Sequence, residues 1–195
     1  MVLTCLMVIE GTNEALAQGL RARNAGLLEG LVGQYQYRLL RYLTALTANP
    51  ALAEDLFQET WLRVLERGRQ YKPEYPFEAW LFSIARHLFL DRVRKRPELS
   101  LGALDGEEGQ AFDPPAPSSA SPYELARAHE EQQGLDRALM TLPAAHREVL
   151  VLRFHEDLRL EEIASITGAS LSTVKSRLYR GLAALGPRLE AAGEI

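Results

Sequence analysis

Apolar residues recur at steps of three and four along most of the chain, the period of helices that bury one side. Leu27, Leu28, Leu31, Val32, Tyr35, Leu39, Tyr42, Leu43 and Leu46 follow it, so residues 13–47 predict a short helix and then a longer one. Asn49-Pro50 supplies a capping side chain followed by a proline at the first helical position, which starts a new helix near Ala51 that runs to about Arg67. Residues 68–76 are a loop rich in aromatics and proline, and Pro76 sets up a helix from Phe77 to about Arg96. Periodicity then stops. Residues 97–121 carry Gly102, Gly106, Gly109 and the run Asp113-Pro-Pro-Ala-Pro-Ser-Ser-Ala-Ser121, the composition of a linker. Ser121-Pro-Tyr-Glu124 is a capping box that opens a helix to about Met140, and Leu142-Pro143 starts another carrying Val149, Leu150 and Leu152. The pattern predicts an all-α chain of two small helical domains, 24–96 and 122–187, joined by a flexible linker, with a segment holding a short helix before them (1–23) and a tail after them (188–195).

Residues 160–185 predict two helices joined by one tight turn, the spacing of a helix-turn-helix. Gly168 can take the left-handed conformation such a turn requires, Ser170 is a good N-cap, and Ala164 is small where two helices must cross. On the second helix Leu171, Val174, Leu178, Leu182 and Leu185 form one stripe. Ser172, Thr173, Ser176 and Arg180 lie opposite, flanked by Lys175 and Arg177. No carboxylate interrupts that polar face, and with Arg188 the segment 170–188 carries four positive charges. Such a helix suits a major groove, with cations on phosphates and donors at base edges. The plain alternative is an amphipathic helix with a solvated basic face.

Two further helices carry candidate surfaces. On the helix after Asn49, the residues Ala53, Leu56, Phe57, Thr60, Trp61 and Val64 make the inward side, whereas Asp55, Gln58, Glu59, Leu62 and Glu66 face outward. A leucine framed by carboxylates is what a helix offers to a basic protein surface, although single exposed leucines are common. The helix from Phe77 has two apolar sides, Phe77, Trp80, Leu81, Ile84 and Leu88 on one, Phe82, Phe89 and Val93 with Arg86 near the other. It ends in Arg92, Arg94, Lys95 and Arg96. Bases interleaved with aromatics suit single-stranded DNA, where rings stack and cations follow the backbone. A wholly buried helix with a solvated basic end reads the same way.

Composition changes the picture in three places. The 195 residues, 47% hydrophobic and 25% charged, suffice for one or two small cores, and no apolar run approaches a membrane span. Residues 1–9 are apolar but lack a basic lead and a small-residue cleavage pattern, and so predict a surface-docked start instead of a signal peptide. A lone Cys5 permits neither an internal disulfide nor a thiol metal cluster and fits a reducing cytoplasm. The net charge of −4 is unusual for a DNA-binding protein, but residues 97–124 hold six acids and no Lys or Arg, so the bases sit elsewhere, in two clusters.

No set of side chains makes a catalytic site, and no cofactor or small-molecule substrate is expected. His87 and Asp91 lie one helical turn apart, but two residues do not hold a metal, and His146 and His155 lack partners at ligand spacing. Asp91 falls toward the apolar side of its helix and is expected to pair structurally.

With Asp55-Leu-Phe-Gln-Glu-Thr-Trp-Leu-Arg63, Trp80-Leu-Phe-Ser-Ile-Ala-Arg86 and Thr173-Val-Lys-Ser-Arg-Leu178 in this order around an acidic linker, the chain resembles a bacterial sigma factor of the extracytoplasmic-function group. The resemblance implies two helical domains, regions 2 and 4, and a promoter-specificity subunit that catalyses nothing itself. It implies that Asp55, Gln58, Glu59, Leu62 and Glu66 dock on the clamp helices of the largest subunit of core RNA polymerase, with the flap as a second contact. Tyr71, Lys72, Tyr75, Phe77, Trp80, Arg86 and His87 would read and open the −10 element and hold flipped bases of one strand. Ser172, Thr173, Lys175, Ser176, Arg177 and Arg180 would read the −35 element. The linker would thread toward the RNA exit path, and an anti-sigma partner would hold the factor inactive. His87 stands where the family usually carries Asn, which bears on the −10 preference, and Gly181-Leu-Ala-Ala-Leu185 is less basic than usual. Two other readings stay open on the residues alone, a one-component helix-turn-helix regulator and a helical adaptor or anti-sigma-like binding protein.

Overall fold

The computed structural model describes residues 13–95 and 134–191, with side chains as far as residue 186. The apolar start, the linker, the capping box at Ser121–Glu124 and the last residues of the tail lie outside the described residues. Every described element is helical. In chain order these are α1 (Asn13–Arg21), α2 (Ala25–Thr47), α3 (Pro50–Arg67) with a short 3-10 turn at Gly68–Gln70, and α4 (Phe77–Lys95). Then follow α5 (134–140), α6 (Ala144–Leu150) prolonged by a π turn at Val151–His155, α7 (Leu160–Thr167) and α8 (Leu171–Ala191).

Local chemistry explains the boundaries. The Asn24 and Asn49 side chains accept from the Leu27 and Leu52 amides at 3.0 Å each, satisfying donors that a helix start leaves free, and Pro50 needs no partner at its position. Helix α2 ends where Ala48 turns left-handed (φ 52°). The start of α7 is held by the Glu162 carboxylate, which accepts from the Arg159 amide at 2.7 Å. In the π turn the Glu156 amide reaches back five residues to the Val151 carbonyl. One extra residue is thereby accommodated before the chain turns at Asp157, also left-handed (φ 52°).

The predicted stripe of α2 is buried at Leu31, Tyr35, Leu39, Tyr42, Leu43 and Leu46, against Leu56 and Val64 of α3 and Leu81 and Phe82 of α4. Tyr42 and Phe82 meet edge to face, 5.1 Å between ring centres. The two helical sets expected from the sequence are both present, and they do not stand apart. Val149, Leu150 and Leu152 of the second set, with Ile163, Ile166, Val174, Leu178 and Leu185, continue the same apolar core. Each such side chain withdrawn from water contributes about 1.5–3 kcal/mol before entropy is counted. Helix α7 lies along α4, and α6 lies along α2 and α8.

One predicted stripe position is corrected. Leu182 is 41% exposed, and the buried line on α8 is Val174, Leu178, Gly181 and Leu185. Gly181 faces Leu150 so closely that a Cβ there would come within 2.8 Å of the Leu150 Cδ1. The close crossing therefore rests on Gly181, at a spacing of three and four residues from its neighbours, while the leucine beside it points to solvent.

Candidate nucleic-acid interface

The turn between α7 and α8 has the predicted chemistry. Gly168 is left-handed (φ 63°), and the Ser170 hydroxyl accepts from the Thr173 amide at 3.2 Å while lying 2.8–2.9 Å from the Thr173 and Ser172 hydroxyls. Those two hydroxyls thus begin the exposed face of α8 already engaged with the cap. Ser172, Lys175 and Arg180 are exposed, Thr173, Ser176 and Arg177 partly so, on the side away from the buried line. Lys175, Arg177 and Arg180 form no ion pair with another described residue, so the face offers cations without internal carboxylates.

A second feature forms where α4 begins. Tyr71, Tyr75 and Trp80 wall a pocket of about 260 Å³ with Gln70, Lys72 and Ser83 at its edges, and Ser165 of α7 reaches into its lining from the other helical set. Four rings build it: Tyr71 packs 5.3 Å from Trp80 and edge to face on Phe77 at 5.7 Å, and Tyr35 lies 5.4 Å from Phe77. The Tyr71 hydroxyl donates to the Tyr75 carbonyl at 2.8 Å. Burial, then the carboxylates of Glu78 and Glu74, push its acidity up to about 12, so it remains a neutral donor. Tyr75 is 62% exposed at the rim.

Of the seven residues expected to touch single-stranded DNA, Tyr71, Lys72, Tyr75 and Trp80 come together here. Phe77 does not offer a surface. At 2% exposure it is the support beneath the other rings, because the first apolar residue after Pro76 points into the bundle. Arg86 lies two turns along α4 and is turned toward α6, where its Nε donates to the Glu148 carboxylate at 2.8 Å. His87 is exposed, with Nδ1 2.6 Å from the Ser83 carbonyl. A carbonyl only accepts, so Nδ1 carries the proton and Nε2 is left as an acceptor when the ring is neutral.

On α3 the outward side is as expected. Leu62 is 59% exposed, with Asp55, Gln58 and Glu66 exposed beside it. Glu59 is partly exposed and held by Arg92 at 3.1 Å and Arg63 at 3.8 Å, and Leu65 adds apolar surface that periodicity did not single out. Asp91 pairs with Arg94 at 2.9 Å, as a structural role requires, but on the solvent side of α4. No group of three metal-ligating side chains occurs among the described residues. No helix there is long and apolar enough to cross a membrane.

The charges that sequence reasoning missed lie between the helical sets. Glu148 accepts from Arg86 and, at 3.0 Å, from the buried Tyr42 hydroxyl. Glu156, with its side chain 0% exposed, accepts from Arg38 at 2.7 Å and Arg41 at 3.2 Å. Arg147 is buried with no carboxylate and donates to the carbonyls of Ala45, Met140 and Leu142. No local signal marks these residues, since partners lie 62 to 118 positions away, except for Met140 and Leu142.

His155 sits in the same interface, with Nδ1 buried and unpartnered. Burial, then the Arg41 charge, hold its acidity down at about 4 against an ordinary 6.5. The folded state therefore binds fewer protons than the unfolded one. The stability this neutral ring carries is complete above about pH 6.5 and is lost as pH falls toward about 4. Allowing for its partial exposure, the loss should be about 1–2 kcal/mol. Urea denaturation at about pH 7 and about pH 4.5 should show a smaller acid loss in His155→Gln, and an equal loss would exclude this origin.

Two family models match the chain, Sigma-70 region 2 over residues 31–97 and Sigma-70, region 4 over residues 132–185. Among curated relatives, ECF RNA polymerase sigma factor SigE of Mycolicibacterium smegmatis is 39% identical over 155 residues, 77% of this chain and 57% of that protein. The chain thus spans little more than half of that relative's length. ECF RNA polymerase sigma factor SigL of Mycobacterium tuberculosis is 31% identical over 180 residues, 92% of this chain and 98% of that one. Among solved structures, the sigma factor RpoE in complex with the anti-sigma factor NepR from Bartonella quintana aligns with a TM-score of 0.62 at 26% identity, covering 82% of this chain and 96% of that one.

Proposed function

The chain belongs to the extracytoplasmic-function group of RNA polymerase sigma factors, and from that premise we propose that it recruits core RNA polymerase to promoters and opens them without catalysing a reaction of its own. It acts in the cytoplasm, where polymerase and promoter are, and an anti-sigma protein is its natural antagonist. Residues 24–96 and 122–187 serve as the −10 and −35 units. The observation that carries the reading is the pairing, in one chain, of an acid-free basic recognition helix with an aromatic pocket large enough for an unstacked base. A base leaving the duplex loses stacking, and stacking on Trp80 and Tyr75 with donors from Lys72 and Gln70 compensates it, a few kcal/mol per base. Phe77 supports that wall from beneath, and Arg86 reaches DNA only when Glu148 releases it.

Transcription by core polymerase plus this chain, from a library of promoters, tests the proposal. Initiation at a discrete subset of promoters is expected. A free chain that occupies a palindromic operator without polymerase, and starts no transcripts, would instead make it a one-component regulator, which the comparisons do not favour. On α8, Arg180→Ala is expected to weaken −35 binding by about 1–3 kcal/mol and to relax preference at one base pair. A loss equal on every −35 sequence would place Arg180 on a phosphate.

A further inference from the structure

Three arginines of the first helical set, Arg38, Arg41 and Arg86, are occupied by two carboxylates of the second, Glu156 and Glu148. These are buried pairs with full hydrogen bonding, since Tyr42 also donates to Glu148 and Arg38 reaches the Glu156 carbonyl at 3.5 Å. With the sets held this way, α7 lies along α4 and Ser165 stands in the lining of the aromatic pocket. The recognition face of α8 is left outward, with Ser172, Lys175 and Arg180 exposed. The arrangement is asymmetric. It leaves the duplex-reading face open and narrows access to the pocket.

We propose that Glu148 and Glu156 latch the two halves of the free chain together, and that the latched chain is a resting state in which α7 obstructs the aromatic pocket. The functional half of this inference rests on the reading that the pocket takes unpaired DNA bases; the latch itself does not. A guanidinium binds carboxylate and phosphate by the same fork, so Glu148 and Glu156 hold three cations that a nucleic-acid backbone would otherwise attract. Breaking one side of a buried pair leaves the remaining charge without compensation, and it returns to water by opening the interface. A latched chain binds single strands with an affinity reduced by the fraction that is open.

The test uses the full chain with Cys5→Ser, Ser83→Cys and Ser165→Cys, two pocket-lining thiols joined by a short bis-maleimide. Rapid internal cross-linking is expected. In Glu148→Gln/Glu156→Gln its rate should fall about tenfold, while affinity of the same variant without the cysteines for an unpaired −10 oligonucleotide rises about tenfold. Arg38→Gln/Arg41→Gln opens the latch from the other side and carries the test if the glutamine pair fails to fold. It also separates the latch from simple charge effects. Removing two cations should weaken DNA binding, yet the proposal predicts that affinity rises. Cross-linking unchanged in both variants overturns the latch. Cross-linking lost with no gain in oligonucleotide affinity overturns its control of the pocket. Should the oligonucleotide fail to bind even the complex with core polymerase, the pocket's reading fails, and the cross-linking still decides the latch.

Discussion

Leu62→Arg is expected to lower the affinity of the chain for core RNA polymerase by at least about 2 kcal/mol, roughly thirtyfold, while leaving its thermal unfolding unchanged. Leu62 stands clear of the bundle on α3, so replacing it breaks no internal contact, and exposed positions of this kind shift stability by about 0.5 kcal/mol at most. A desolvated apolar anchor at the centre of a small interface carries a large share of its energy. The frame of Asp55, Gln58 and Glu66 is exposed and suits a basic partner, which an added guanidinium would repel. Glu59 is already bound to Arg92 and Arg63 and steers less than its charge suggests. Fluorescence titration of labelled core enzyme measures the loss; wild-type affinity would move the docking surface elsewhere.

Arg147→Met should destabilise the fold by about 3 kcal/mol. The guanidinium joins the ends of two helices, taking the Ala45 carbonyl from the last turn of α2 and the Met140 and Leu142 carbonyls beyond α5. Helix ends leave such carbonyls unpaired, and a cation there also meets the negative end of the helix dipole. Methionine restores the volume and removes the desolvated charge, which offsets part of the loss, but it leaves three buried acceptors unsatisfied. Arg147→Lys should not rescue, because one ammonium cannot span the fork. Urea denaturation decides; a loss under about 0.5 kcal/mol would mean that water takes over the carbonyls.

What was legible in the sequence was local. The Asn49-Pro50 start, the Gly168 turn, the Ser170 cap and the outward Leu62 each depend on neighbours within four residues, and each stands in the structure where spacing put it. Leu182 misled because apolar size was taken for burial, when the crossing at Leu150 needed the smallest side chain available, Gly181. Phe77 and Arg86 were grouped with the pocket residues by proximity in sequence, but one points into the bundle and the other across to Glu148. Arg147, Glu148 and Glu156 carried no signal at all. A charge that will be buried looks like any surface charge until the partner, about a hundred residues away, is brought against it.

The π turn at Val151–His155 has a bearing on chain length. Its additional residue sets the angle at which the chain leaves α6 and delivers Glu156 to Arg38 and Arg41. Deleting any one residue of the five would let ordinary winding resume and swing position 156 by about 100° around the helix axis. Spacing here is therefore as binding as composition: a shortened variant would retain both glutamates and all three arginines, yet present one carboxylate to the wrong side.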